Sequence, residues 1–161
     1  MARGILVGDA STYIRAPIVK FLRERGYEAS GSVCNVKSAL DELEFFRQFG
    51  GLDLLIFATD LPSDCKYNGG LQILRMLRGE IKTGRKLGSD FVKCYQKTPV
   101  ILMHYEGCEP KISTGAEVRI HLLPKVKYSS ELPVDEKQLM RLVKRYMPKQ
   151  ASHYTAQQLE F

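Results

Sequence analysis

The chain has 161 residues, of which 44% are hydrophobic and 26% are charged, and its formal net charge is +6. This length and composition suit one globular domain with its own hydrophobic core and argue against general disorder. Four cysteines without a CxxC pair argue against a disulfide framework and a zinc ribbon.

The first elements of the chain predict a strand followed by a helix. Residues 5–8 are a short apolar run, and residues 9–12 are small or polar and can cap a helix N-terminus. From Ala16 onward apolar side chains recur at helical spacing until Gly26, a residue typical of helix C-termini. No apolar run approaches the roughly 18 residues of a membrane span, and a cytoplasmic location is expected.

The middle of the chain contains the best candidate for a central strand. A short second strand after residues 27–29 and a helix that follows Asn35 lead to residues 52–58, which are apolar almost throughout. Such a run is typical of a parallel strand covered by helices on both faces. Residues 70–78 have the spacing of a third helix, and residues 99–103 predict another buried strand that starts at a proline.

The last elements predict a strand at 118–123, ended by Pro124, and an amphipathic helix that starts at Asp135 and Glu136. Residues 1–148 are therefore interpreted as one domain, and residues 149–161 as a polar C-terminal tail. Strands that alternate with helices predict an α/β fold with a doubly wound parallel sheet. Functional residues are expected at the carboxyl ends of its strands.

The succession resembles the receiver domain of bacterial response regulators, the CheY-like family, over about residues 4–147. The strings that carry the resemblance are Ile-Leu-Val-Gly-Asp-Ala-Ser, Asp-Leu-Leu-Ile-Phe-Ala-Thr-Asp-Leu-Pro, Pro-Val-Ile-Leu-Met-His and Leu-Leu-Pro, in that order. The resemblance implies a five-stranded, flavodoxin-like (βα)5 topology. It also implies a phosphorylation pocket at the carboxyl edge of the sheet.

Carried over by position, the functional residues of the family are mostly replaced. Asp9 is kept from the acidic pair, but its neighbour is Ala10, and Ala58 stands at the phosphoacceptor position. His104 stands at the switch hydroxyl position, and Leu123 stands before the proline, where the family has lysine. The resemblance therefore implies a pseudo-receiver with a degenerate phosphorylation pocket.

The chemistry of acyl-phosphate formation requires a carboxylate that attacks phosphorus, and the side chain of Ala58 cannot supply one. With alanines and Leu123 at these positions, we expect the pocket to be a mostly apolar plug. Asp60 is the one nearby acid that could substitute as phosphoacceptor, but an exposed loop aspartate that caps a turn is the preferred interpretation.

A metal site is the sharper alternative for the same edge of the sheet. Asp9, Cys65, His104 and Cys108 are ligand types that zinc accepts, but their spacing is not diagnostic, and unrelated side chains near one another are the preferred interpretation. The sequence contains no nucleophile elbow and no phosphate-binding glycine loop. We expect no enzymatic activity and no cofactor.

Two segments look longer than the family pattern, at 63–69 and 79–98, and long loops in compact domains are often functional. The second segment and the last helix supply the candidate interaction residues, with a merely solvated loop as the alternative: Lys82, Arg85, Lys86, Phe91, Tyr95, Arg141 and Arg145.

The resulting hypothesis is a phosphorylation-independent signalling domain of a bacterial two-component-type system that acts by protein–protein interaction. Its partner is a protein, direct nucleic-acid binding is disfavoured because no recognition motif accompanies the charge, and a homodimer stays open. Two alternatives are a regulatory domain of a larger transcription regulator and a ligand or metal sensor that uses the degenerate pocket.

Overall fold

The computed structural model of the protein describes residues 4–63, 68–80, 88–112, 119–126 and 131–147. These ranges contain five strands and five helices. In chain order they are β1 (Ile5–Gly8), α1 (Thr12–Glu24), β2 (Ala29–Val33), α2 (Val36–Arg47), β3 (Leu54–Ala58), α3 (Gly69–Leu77), α4 (Ser89–Tyr95), β4 (Val100–Tyr105), β5 (Ile120–Lys125) and α5 (Glu136–Tyr146).

The five strands form one parallel sheet in the order β2-β1-β3-β4-β5. Helices α1 and α5 are joined by an ion pair between Arg25 and Glu136 at 3.2 Å, whereas α2, α3 and α4 pack against one another. Helices therefore cover both faces, and the predicted doubly wound α/β class is confirmed. None of the described helices is long and apolar enough to cross a membrane.

The core lies on both faces of β3 and β4. All five residues of β3 are fully buried, as the apolar run at 52–58 predicted. From the helices, apolar side chains such as Ile18, Leu43 and Leu139 pack onto the sheet, each with no measurable exposure. The parallel strands can be apolar on both faces because helices exclude water from each side.

Local signals place two of the helices where the sequence predicted them. Asn35 accepts a hydrogen bond from the backbone N–H of Ser38, and the Ser38 hydroxyl accepts one from the backbone N–H of Asn35. This capping box fixes the start of α2. At α5 the carboxylate of Asp135 accepts from the N–H of Gln138 in the same way.

Helix α4 corrects the prediction of one enlarged loop over 79–98. Phe91 and Tyr95, one helical turn apart, are 1% and 0% exposed, and the Tyr95 hydroxyl donates to the carbonyl of Leu43 on α2. Their prediction as docking residues is wrong, because both belong to the core. Lys82, Arg85 and Lys86 of the same segment, Cys65, and the predicted tail at 149–161 lie outside the described residues.

The helix order departs from strict alternation after β3. Two helices, α3 and α4, separate β3 from β4, whereas the described residues between β4 and β5, at 106–112 and 119, form no helix. Leu122 of β5 and Val126, which directly follows the strand, are exposed.

The start of α3 packs unusually close to the end of β3. A methyl group added at Gly70 would lie 2.0 Å from the backbone oxygen of Ala58, and one added at Gly69 would lie 2.2 Å from that of Leu61. The N–H groups of these glycines donate to the carbonyls of Thr59 and Leu61. Only glycine allows this approach, which holds residues 59–61 against the helix.

We predict that Gly70→Ala destabilises the fold by about 1–3 kcal/mol, because its methyl overlaps a backbone atom that cannot rotate away. Alanine is otherwise favoured over glycine inside a helix, so a loss of stability reports the steric overlap. The control is Gly88→Ala, where nothing lies within 4 Å of the added methyl. Urea unfolding of both variants checks the prediction, and equal stabilities would contradict the close approach.

Candidate functional site

The carboxyl ends of the central strands meet at one edge of the sheet, and three charged side chains converge there. Asp9 follows β1, Asp60 follows β3, and Lys125 is the last residue of β5. The ammonium of Lys125 lies 2.9 Å from Asp9 Oδ2 and 2.8 Å from Asp60 Oδ1. We call these three residues the strand-end cluster.

Burial differs among the members of the strand-end cluster. The side chains of Lys125 and Asp9 are 1% and 3% exposed, whereas that of Asp60 is 44% exposed. The second oxygen of Asp9 accepts from the backbone N–H of Ser11 at 2.9 Å. Asp9 is thus fully engaged inside the protein, and Asp60 is the carboxylate that faces water.

The electrostatics of the cluster favour a charged lysine. Burial alone would lower the pKa of Lys125, but hydrogen bonds and charge attraction to Asp60 and Asp9 raise that pKa above its ordinary value. The ring of Tyr105 adds a cation–π contact, with its centroid 4.3 Å from the ammonium. One buried cation therefore binds two carboxylates at the place where the three strands end.

This arrangement corrects the predicted apolar plug. Leu123 is fully buried, as an apolar residue at that position should be, but the strand ends still hold a lysine, because Lys125, two residues later, pairs with Asp9 and Asp60. The prediction that Pro124 ends the strand was wrong. Strand β5 is an edge strand, in which a residue without an N–H is tolerated, and pairing with β4 continues through Lys125.

Asp60 lies in a turn after β3 and is half-exposed, as the sequence predicted, but its carboxylate accepts a hydrogen bond from the side chain of Lys125. The sequence contained one usable signal: a lysine two residues after Leu123, close to the expected carboxyl end of the last strand. The orientation of Asp60 depends on the close packing of α3 against residues 59–61, which no spacing rule encodes.

The alanines at the other two family positions lie in different surroundings. Ala58 is the last residue of β3, pairs with Met103 and is fully buried, whereas Ala10 is exposed. Neither side chain has an atom that could attack phosphorus. The position that resembles the phosphoacceptor therefore holds a methyl group inside the core.

His104 is 3% exposed at the carboxyl end of β4, and its Nδ1 lies 3.1 Å from the backbone oxygen of Tyr105. Cys108 is exposed on the following loop. Within the part of the chain that the structure describes, no three His, Cys, Asp or Glu residues are placed to hold a metal ion. Asp9, His104 and Cys108 thus do not form the predicted alternative metal site.

The strand-end cluster can do limited chemistry. Its lysine neutralises charge on two carboxylates, and its buried carboxylate already has a partner for each oxygen. A divalent cation would have to displace the ammonium, with Asp60 as the only half-exposed oxygen donor among the three. The cluster is therefore a structural link, which we call the buried tether: Lys125 at the end of β5 joins Asp9 after β1 and Asp60 after β3.

Comparison with solved structures shows what this arrangement resembles. The chemotaxis response regulator CheY4 of Vibrio cholerae is 20% identical, with a TM-score of 0.60 over 91% of this chain and all of that one. A response regulator protein from Burkholderia multivorans is 21% identical, with a TM-score of 0.56 over 90% and 94% of the two chains. The chain therefore has the receiver fold.

The response regulator StyR is 16% identical, with a TM-score of 0.58, and the match spans 97% of this chain but 64% of StyR. No family model matches the sequence, and no curated protein matches it. The similarity is thus one of fold.

We predict that Lys125→Met lowers the free energy of unfolding at pH 7 by about 3–5 kcal/mol, because it leaves Asp9 buried and charged without its partner. The matched control is Lys20→Met, which removes an exposed pair with Glu24 at 3.8 Å and costs about 0.5 kcal/mol or less. Urea unfolding measures both. If Lys125→Met and Lys20→Met cost the same, the buried tether is refuted.

The pKa of Lys125 also predicts a pH dependence. Because folding raises this pKa, the folded state holds the proton more tightly, and its contribution to stability is complete below the unfolded value of about 10.4. That contribution is lost as the pH rises through the folded pKa. We therefore compare the free energies of unfolding of the native protein and Lys125→Met between pH 7 and 11. The native protein should be more stable by a constant amount up to about pH 9, and this difference should shrink above about pH 10.4.

Proposed function

We propose that this chain is a receiver-like signalling module that works by protein contact and does not depend on phosphorylation. The proposal rests on the side chains found at the carboxyl ends of the strands. A methyl group stands at the position of the phosphoacceptor, at Ala58, and an internal ammonium from Lys125 already binds both nearby carboxylates.

The physical consequence is a site held in one conformation. A phosphorylation switch requires a phosphoryl charge that is added and removed. The added charge stabilises one conformation over the other, and this shift in population changes the surface that partners bind. Here the compensating charge is covalently part of β5, and it ties β1, β5 and the segment after β3 together in every molecule. The partner-binding surface then has the same conformation at all times, so the extent of binding depends only on the concentrations of the protein and its partner.

The contact surface under this proposal is α5 and the adjoining edge of β5. Arg141 and Arg145 are exposed on α5, in contrast to the buried Phe91 and Tyr95. Arginine is common at the centres of protein interfaces because its planar head makes several hydrogen bonds and stacks on aromatic rings.

A regulatory domain of a larger protein is the second candidate, favoured by one observation. The match to StyR covers nearly this whole chain but leaves more than a third of that protein outside it. Determination of the full-length gene product decides between a stand-alone module and a regulatory domain.

We expect no phosphoryl adduct when the protein is incubated with acetyl phosphate and magnesium and examined by intact mass spectrometry. Beryllofluoride with magnesium should likewise leave the amide NMR signals of Asp9, Asp60 and Lys125 in place. The reason is that the core side chain of Ala58 cannot form an acyl phosphate, and Lys125 occupies the carboxylates that would bind magnesium. A phosphorylatable receiver in the same reaction shows that the reagent is active.

The matched variant is Asp60→Asn, which removes the half-exposed carboxylate and leaves the buried Asp9 pair intact. An adduct on the native protein that disappears in Asp60→Asn would make Asp60 the acceptor. The protein would then be a rewired phosphorylation switch, and the proposed independence from phosphate would be wrong.

A further inference from the structure

Within the residues that the structure describes, no helix lies between β4 and β5 to cover the face of the edge strand β5 that points away from α5. Leu122 and Val126 are 39% and 58% exposed, and Pro124 between them is also exposed. Leu122 and Pro124 share the face that points away from α5, since His121 on the other face hydrogen-bonds Tyr146 of α5, and Val126 directly follows the strand. We call Leu122, Pro124 and Val126 the β5 strip.

The helix beside this edge carries cations on its exposed side. Its charged residues recur at spacings of three and four, which place them on one side of a helix, and none has a carboxylate partner among the described residues: Lys137, Arg141, Lys144 and Arg145. Burial of the imidazole, together with Arg145 and Arg141, lowers the pKa of His121. This edge of the molecule is positively charged.

The charge restricts which surface can cover the β5 strip. A two-fold contact between two β5 edges would bring the α5 cations of one copy toward those of the other, and like charges in contact are unfavourable. A complementary surface must combine apolar side chains with acidic ones.

The same chain has such a surface at its opposite edge. Helix α2 packs on β2, the other edge strand. Phe45 lies in the last turn of α2 and Phe49 lies two residues beyond its end; their ring centroids are 5.4 Å apart, and they are 53% and 66% exposed. Helix α2 also carries Asp41, Glu42 and Glu44 within about one helical turn of Phe45, with Glu44 paired to Arg47 at 2.7 Å, and Asp90 lies in the first turn of α4. We call Phe45 and Phe49 the α2 aromatic pair.

We propose that the β5 strip of one copy binds the α2 aromatic pair of a second copy, in a head-to-tail contact. The second copy then places its own α2 over the face of β5 that no described helix of the first copy covers. The acids of α2 face the cations of α5 across the contact. This inference does not depend on the proposed function, since a phosphorylated or an unphosphorylated domain would have the same two edges.

In a head-to-tail dimer, one copy still has a free β5 strip and the other still has a free α2 aromatic pair. Further copies can therefore add, and the oligomers become larger as the protein concentration rises. Both apolar surfaces are small compared with the roughly 800 Å² per partner of a stable interface, and the association is therefore weak and reversible. Sedimentation velocity of the native chain should show a weight-average mass that grows with concentration beyond that of a dimer.

Two complementary variants make the test specific. Phe45→Ser with Phe49→Ser removes the α2 aromatic pair, and Leu122→Ser with Val126→Ser removes the apolar part of the β5 strip. Each variant alone should be monomeric, because only one kind of edge remains. An equimolar mixture should form a one-to-one dimer and nothing larger, because each variant supplies the edge that the other lacks.

The control is Tyr13→Ser, which removes an aromatic residue on α1 that is 86% exposed and should leave association unchanged. Circular dichroism melting checks that every variant is folded. The charge component is tested by Arg141→Glu with Arg145→Glu, which should weaken association about tenfold.

A native chain that stays monomeric at all concentrations, or a mixture of the two variants that stays monomeric, would overturn the head-to-tail contact. An assembly abolished by one double variant and unaffected by the other would also overturn it, since that result describes a two-fold contact through a single surface. None of these outcomes bears on the acetyl phosphate experiment.

Discussion

The structure depends on one buried ammonium, that of Lys125, held between the carboxylates of Asp9 and Asp60. An unpaired charge at the depth of Lys125 and Asp9 would be strongly unfavourable, so these two residues require each other, and the half-exposed Asp60 adds a second carboxylate to the lysine. Parallel strands make the contact feasible, because their carboxyl ends meet at one edge. Helix α3 packs closely against the backbone of Ala58. This packing fixes residues 59–61 and with them the orientation of the Asp60 side chain. A helix contact thus determines an electrostatic one.

Much of this fold follows from local sequence, and the reason is burial. The run at 52–58 was the best candidate for a central strand and contains β3, and Asn35 and Asp135 mark helix starts through hydrogen bonds that involve neighbouring residues alone. Lys125 was missed because proline was interpreted as the end of a strand, a rule that fails at a sheet edge. Whether β5 lies at the edge is a property of the whole sheet, which local sequence does not report.

Helix α4 was missed for a related reason. Its two core residues, Phe91 and Tyr95, are separated by a single helical turn and surrounded by polar and basic residues, so their spacing resembled an aromatic and basic docking loop. The structure instead uses them to fill the layer beside α2 and α3. That placement has a consequence at the other end of the sheet. The helix that would cover β5 is not found in the described residues between β4 and β5, and apolar side chains of the strand stay in water.

The buried cluster therefore stabilises one conformation of the domain, whereas its exposed edges are available for binding. If breaking the buried tether costs roughly 3 kcal/mol or more, the alternative conformation is populated below about one per cent, and a ligand must supply that energy to switch the domain. Both carboxylates of the strand-end cluster already pair with Lys125, so a small cation could supply that energy only by displacing the ammonium. Regulation by contact avoids this cost, because binding at the exposed edges leaves the tether intact. The exposed β5 strip and the cations of α5 are then the variable part of the molecule, and the cluster of Asp9, Asp60 and Lys125 is the fixed frame that presents them.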